Sequence, residues 1–183
     1  VTYAVCVFCA SSPDVDDASL ALAGQVGTAI ATQGWVLVSG GGAVSMMGAV
    51  ARAARAAGGH TVGVIPTVLT TSEVADHDAG ELIETPDMRT RKAEMDRRAD
   101  AFLTLPGGIG TLEELFEAWT ARTLGLHDKP VVVCDPAATF AGLRALIEDL
   151  HARGFVRASA LRALVWADTV PAAIEALRPP RTP

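Results

Sequence analysis

The chain has 183 residues, half of them apolar, and a formal net charge of −6. That length can bury a sizeable core in one domain, and the acidic balance argues against nucleic acid or a membrane surface as partner. No apolar run approaches the ~18 residues of a membrane span, and the N-terminus lacks the basic region of a signal peptide, so the expected setting is the cytoplasm.

From the N-terminus, "YAVCVF" (from Tyr3) predicts a strand. Cys6 and Cys9 form C-x-x-C there, but residues three apart on a strand point to opposite faces. No second cysteine pair or histidine pair completes a zinc site. With Cys134 they are expected to be buried, reduced thiols, and no metal is expected. The loop "CASSP" follows. Small Ala10, Ser11 and Ser12 would let a ligand approach, and their hydroxyls can donate to phosphate; a plain turn and helix cap explains the loop equally well. The next helix is expected over Asp14 to Thr32, with Val15, Leu22, Val26 and Ile30 as its apolar stripe.

"WVLVSG" (from Trp35) predicts the second strand. Gly40, Gly41 and Gly42 then lead into an alanine-rich helix, Met46 to Ala57. Such a turn exposes backbone N–H groups beside the positive helix end, which makes Gly41 and Gly42 candidate ligand contacts alongside Ser12. It is not a dinucleotide fingerprint, since Ser45 stands where the last glycine would be. Nor is it a Walker A loop, since no G-K-[ST] follows.

"HTVGVIP" (from His60) and "ELIET" (from Glu81) predict the next strands. A helix over Met88 to Arg98 follows, with Asp87 as its N-cap. It carries Arg89, Arg91, Lys92, Arg97 and Arg98. Positions 91, 94, 95 and 98 share one face, and 88 and 92 the neighbouring one. Charge runs usually form a solvated face. Yet the helix dipole disfavours cations near the first turn, and a residue that breaks a local rule is a candidate for function.

"AFLTLP" (from Ala101) predicts a fifth strand running into "PGGIGTLEE". The helix after it is expected from Leu112 to Leu124. Thr111 and Glu114 have the spacing of a capping box, a reading that leaves Gly107, Gly108 and Gly110 unexplained. The same turn could cradle a phosphate. Glu113 and Glu114 would repel a phosphate and suit a sugar or base beyond it. "PVVVCD" (from Pro130) and "ALVWAD" (from Ala163) complete the strands. Helices are expected over Phe140 to Ala152 and Pro171 to Leu177, the latter with proline in its first turn.

This order predicts an α/β fold, a Rossmann-like doubly wound sheet, mainly parallel, of about seven strands flanked by helices. One nucleotide-binding domain is expected over residues 1–178, with 179–183 as a frayed tail. His60, His77, His127 and His151 are scattered without metal-ligand spacing.

Together, "PGGIGTLEE" and "MRTRKAEM" resemble the paired signatures of the LONELY GUY (LOG) family, P-G-G-x-G-T-x-x-E and M-x-x-R-K. The "SGGG…MG" loop, "VFCASS" and "HDKPVVV" fit as well, so the resemblance runs from Val5 to about Ala163. Members are cytokinin riboside 5′-monophosphate phosphoribohydrolases. They hydrolyse the N-glycosidic bond of an N6-substituted AMP, giving free cytokinin base and ribose 5-phosphate. The resemblance implies no metal or organic cofactor and a homodimer or larger assembly. It implies Arg91 and Glu114 as the catalytic pair. It places Lys92, Gly108, Ile109, Gly110, Thr111, Leu112, Glu113 and Thr120 in the nucleotide site, with Glu73 of "TTSEVADHD" as a further substrate contact. Ser45 departs from the family, which usually carries glycine there.

The chemistry is consistent with those residue types. Breaking an N-ribosidic bond develops positive charge on the ribose, as in glycoside hydrolysis. A carboxylate stabilises that charge and can position the attacking water. Phosphate held by a glycine turn supplies remote binding energy. Three rivals stay open: a general AMP nucleosidase, a non-catalytic nucleotide-binding protein, and a pyridoxal-phosphate lysine decarboxylase, for which Lys92 and Lys129 are the available Schiff-base lysines. The apolar positions of "LFEAWTARTLGL" (from Leu115) could form a dimer face or ordinary core.

Overall fold

A computed structural model describes residues 2–70 and 75–178. Glu73 and the expected tail, 179–183, lie outside the described residues. The strands are β1 (Ala4–Phe8), β2 (Val36–Ser39), β3 (Thr61–Pro66), β4 (Glu81–Thr85), β5 (Ala101–Thr104), β6 (Val131–Cys134) and β7 (Leu164–Ala167). They form one seven-stranded sheet in the order β4-β3-β2-β1-β5-β6-β7, and every neighbouring pair is parallel. β1, β3, β5 and β6 are buried at every residue. That is why they read as unbroken apolar runs rather than alternating ones.

The helices are α1 (Asp17–Thr32), α2 (Ser45–Ala56), α3 (Met88–Arg98), α4 (Ile109–Thr123), α5 (Ala141–Ala152), α6 (Ala158–Ala163) and α7 (Val170–Leu177). α1, α2 and α7 cover one face of the sheet, where Val5, Val7 and Cys9 meet Val26, Ile30, Val50 and Ile174. α3, α4, α5 and α6 cover the other, where Cys6 and Phe8 meet Met95, Leu115, Trp119 and Ile147. Cys6 and Cys9 thus face opposite cores, as their spacing requires. α1 and α2 approach closely because Gly27 has no side chain: a Cβ there would stand 2.1 Å from the Val50 carbonyl oxygen.

α3 has the expected bounds, and Asp87 caps it by accepting from the Thr90 N–H at 2.8 Å. α1 begins three residues later than expected, at Asp17, where Asp16 accepts from the Ser19 N–H. α4 differs more. It begins at Ile109, and its cap is Gly108 in an extended conformation. Thr111 is therefore the third residue of the helix and not its cap, so the expected capping box at Thr111 does not form. α6 and a single 3-10 turn over Thr67–Leu69 were not anticipated; both are too short to show a periodicity.

The strand order reverses beside β1. The chain steps outward from β1 to β4, then crosses back through α3 to place β5 on the other side of β1. The crevice outside the carboxyl ends of β1 and β5 is the topological switch point, where such sheets take ligands. The two strand ends are knit there: Leu105 N–H donates to the Phe8 carbonyl at 2.9 Å, and Ala10 N–H donates to Pro106 at 3.3 Å.

Candidate active site

Three loops rise around this switch point. The loop after β1 exposes Ser11 and Ser12. The Ser12 carbonyl accepts a hydrogen bond of 2.5 Å from the Ser45 hydroxyl, at the start of α2. Ser45 holds φ at +54°, in the left-handed region that normally favours glycine.

The loop after β2 is knitted inward. Gly41 adopts φ +76°, and a Cβ on it would press on Val64 and Ile65 at about 3.1 Å. Gly41 accepts from the Asp76 N–H at 2.8 Å, and Gly42 forms an antiparallel bridge with Ala75. The Gly42 N–H is turned to Met47 Sδ at 3.1 Å. Asp76 is itself buried and held by both amino groups of Arg55, at 2.7 and 3.1 Å. Gly41 thus has an internal reason to be glycine: its backbone is left-handed and β3 presses on it.

Gly40 serves Arg91. A Cβ at Gly40 would lie 1.9 Å from Arg91 Nη2. The guanidinium is buried, donating from Nε to the Val64 carbonyl and from Nη2 to the Gly40 carbonyl, each at 3.1 Å. Nη1 lies 3.7 Å from Met88 Sδ. A cation misplaced with respect to its own helix dipole is thereby compensated by carbonyl oxygens of other elements.

The rest of the basic cluster divides. Arg97 and Arg98 both donate to Glu94, and Arg98 also grips Glu81 bidentately at 2.8 Å, pinning edge strand β4 to α3. These two are structural. Lys92 is paired with Glu113 and, at 2.7 Å, with Glu117 of α4. Those carboxylates raise its pKa above the ordinary lysine value.

The turn 107–110 is open. Gly107 packs on Thr111, since a Cβ there would stand 2.2 Å from Thr111 Oγ1. Gly108 and Gly110 have nothing within 4 Å of a built Cβ, and neither has a positive φ. No internal packing or conformation demands glycine at these two places. Ile109 between them is 88% exposed. Bare backbone at the start of α4 therefore faces the outside, and the first N–H groups of a helix lack intrahelical partners.

Glu114 stands one turn further along α4, half-buried. It borders a cavity of about 470 Å³ between α3 and α4. Phe8, Phe102, Met95 and Ala118 form the cavity's apolar floor, and Lys92, Asp96, Glu117 and His127 stand among its walls. The Phe8 and Phe102 rings stack with centroids 5.7 Å apart. His127 Nε2 bonds the Ala118 carbonyl at 3.2 Å, and burial pushes the ring's pKa down, favouring the neutral imidazole. Burial, then the charge of Glu114, pushes the Cys6 thiol well up, while Arg91 acts on it in the opposite sense. Glu114 and Arg91 thus act on Cys6 of β1 with opposite charges.

The structure brings Ser12, Arg91, Lys92, the 108–111 turn and Glu114 to one end of the sheet. Glu113 is exposed and turned to Lys92, and Leu112 is half-buried against the core. Thr120 is exposed, nine residues beyond Thr111 on the same helix, or ~13 Å along its axis. It does not join the turn. The cavity floor of Phe8, Phe102 and Met95, and the Gly40 seat of Arg91, escaped sequence reading. They carry no motif and were legible only as apolar core and as one glycine of three. Among the described residues no group of three or more His, Cys, Asp or Glu could hold a metal ion. No helix of these residues is long and apolar enough to cross a membrane.

Residues 47–177 match a family model described as "Possible lysine decarboxylase". The chain is 55% identical to a cytokinin riboside 5′-monophosphate phosphoribohydrolase of Mycobacterium tuberculosis, over 97% of this chain and 94% of that protein. It is 52% identical to one of Mycobacterium marinum over the same shares, and 39% identical to one of Arabidopsis thaliana over 90% of this chain and 77% of that one. Among solved structures it resembles a molybdenum cofactor binding protein from Rippkaea orientalis, with TM-score 0.73 and 24% identity, covering 96% of this chain and 94% of that one. It also resembles a Moco carrier protein from Chlamydomonas reinhardtii, with TM-score 0.71 and 24% identity, covering 96% and 95%. These two likenesses speak to the fold alone. The sequence relatives and the paired motifs on α3 and α4 make the chain a member of the LONELY GUY (LOG) family.

Proposed function

We propose that this protein hydrolyses the N-glycosidic bond of N6-substituted AMP, releasing a cytokinin base and ribose 5-phosphate. The observation that carries this reading is the arrangement on α4. Open backbone at Gly108–Gly110 and the Glu114 carboxylate share one helix, beside a cavity with an apolar floor. The names of the sequence relatives support it.

The N–H groups of Ile109, Gly110 and Thr111 receive the 5′-phosphate, with Ser12 beside them. Glu114 lies ~7 Å further up the helix than the turn, the distance at which a ribose ring would follow its phosphate. As the bond to the base lengthens, positive charge grows on the ribose, and the carboxylate stabilises it. Glu114 also orients the attacking water, whose hydroxyl goes to C1′ while a proton goes to the departing base. Arg91, fixed by Gly40 and Val64, supplies a fixed positive charge at the site that orients the carboxylate or the substrate. Lys92, Leu112 and Glu113 line the approach. Glu73 and Thr120 remain contacts that the resemblance proposes.

The apolar floor of the cavity, Phe8, Met95 and Phe102, favours a base bearing an apolar N6 substituent over plain adenine. A decarboxylase reading has less support. A Schiff-base lysine must be neutral to attack, whereas Lys92 is clamped by two glutamates and Lys129 by the carbonyl and carboxylate of Asp96. A homodimer is supported by Phe116, Leu124 and Leu126, which are exposed on and just beyond α4. Buried free thiols suit the cytoplasm.

The test is one chromatographic assay with isopentenyladenosine monophosphate and AMP in parallel. Free isopentenyladenine and ribose 5-phosphate, formed faster than adenine from AMP, are expected. Equal rates would support a general AMP nucleosidase, and no release from either would overturn the reading.

A further inference from the structure

We propose that Ser45 is a positioning residue for the phosphate end of the substrate: its hydroxyl straps the loop after β1 to the start of α2 and sets where Ser11 and Ser12 stand in the crevice. This rests on the hydrolase reading above, whose phosphate lies against these loops.

Ser45 holds φ at +54°. Glycine takes that conformation without cost and serine does not. The backbone alone would be better served by glycine. What serine adds is its hydroxyl, and the hydroxyl is engaged. It donates to the Ser12 carbonyl at 2.5 Å, across 33 residues of sequence. The bond links the loops after β1 and β2, two of the three that meet at the switch point.

The geometry of the β1 loop explains why such a strap matters. Its root is held on the β5 side, where Ala10 N–H donates to the Pro106 carbonyl at 3.3 Å. Further out, Ser12 Oγ accepts from the Asp14 N–H at 3.3 Å, a bond within the loop itself. Among the described residues, the hydrogen bond that ties Ser12 to another part of the fold comes from Ser45. Ser11 is thus held between two anchored residues, one fixed to each neighbouring loop, and both serines are exposed. Without the strap the outer anchor is lost, and the loop's hydroxyls and amides become mobile where the phosphate binds. Ordering them on binding would then weaken affinity.

Two variants separate the strap from plain stability. Ser45→Ala keeps the left-handed cost and loses the hydroxyl. Ser45→Gly loses both, so its melting temperature should exceed that of Ser45→Ala by a few degrees. KM for the nucleoside monophosphate should rise about three- to tenfold in both, the loss expected for one neutral hydrogen bond, with kcat within about twofold. Inhibition by ribose 5-phosphate should weaken in parallel, and inhibition by free adenine should not. A merely structural serine predicts otherwise: KM would follow stability, and Ser45→Gly would bind as well as wild type. A wild-type KM in Ser45→Gly, or equal weakening toward adenine, overturns the proposal. If the wild-type protein releases no base from any substrate, the hydrolase reading fails by itself. Calorimetric titration of ribose 5-phosphate into the three proteins still decides the role of Ser45.

Discussion

The guanidinium of Arg91 occupies the space that a side chain at Gly40 would need, with Nη2 only 1.9 Å from where a Cβ would stand. Gly40→Ala should therefore act through Arg91. The methyl group must unseat the guanidinium from the Gly40 and Val64 carbonyls, at a cost of about 2 kcal/mol in stability. It should also lower kcat/KM at least tenfold, on the scale of Arg91→Lys, whose ammonium cannot reproduce two directed N–H bonds. Thermal melts and steady-state kinetics on both variants check this. Wild-type kinetics in a folded Gly40→Ala protein would show that the seat of Arg91 does not matter.

Glu114→Gln keeps shape and removes charge. It should reduce kcat by at least ~100-fold, with binding of AMP retained within a few-fold by calorimetry. Glu113→Gln is the neighbouring control. Its partner Lys92 still has Glu117 at 2.7 Å, and exposed pairs contribute little, so kcat should change by less than about threefold. Comparable losses in both variants would move the chemistry away from Glu114.

The ion network on α3 should be visible in acid. Donation from Arg97 and Arg98 holds the Glu94 carboxyl down at about 2, against an ordinary 4.5. With the folded value below the unfolded one, the stability it adds is complete above the unfolded pKa and fades as pH falls toward the folded one. Glu94→Gln should cost about 1 kcal/mol at neutral pH, a partly exposed network being screened. The gap to wild type should shrink as the pH is lowered below 4. Urea unfolding across that range measures it, and a gap that does not vary with pH would assign the loss to packing.

The three cysteines should be inert in the native state. Cys6, Cys9 and Cys134 are all buried. Burial raises all three thiols, that of Cys134 to about 11, so the reactive thiolate is scarce near neutral pH. A disulfide-exchange dye should titrate almost none of them in buffer and all three in denaturant. Fast labelling of one thiol in the native protein would contradict the burial.

The order of strands, and of every helix but α6, was legible because buried parallel strands write unbroken apolar runs, and β1, β3, β5 and β6 do so. The cap of α3 was legible because Asp87 is a side-chain cap. The cap of α4 was not, since Gly108 caps with backbone alone and leaves the Thr111 spacing to mislead. The glycines of the β2 loop read as a possible anion cradle. A sequence does not reveal which foreign backbone or guanidinium presses on a glycine, and here β3 and Arg91 do so. The cavity floor was hidden for a similar reason: Phe8, Met95 and Phe102 come from three elements and look like core.

α3 links the outer edge of one half of the sheet to the first strand of the other. From a single turn of it, Arg91 holds the backbone of β3 and the β2 loop, while Lys92 holds two glutamates on α4. The rivet closes only when residues from both halves have found their places. During refolding, enzymatic activity should therefore return no earlier than the slowest tertiary signal, and a chain cut between β4 and β5 should regain turnover only when both fragments are supplied together.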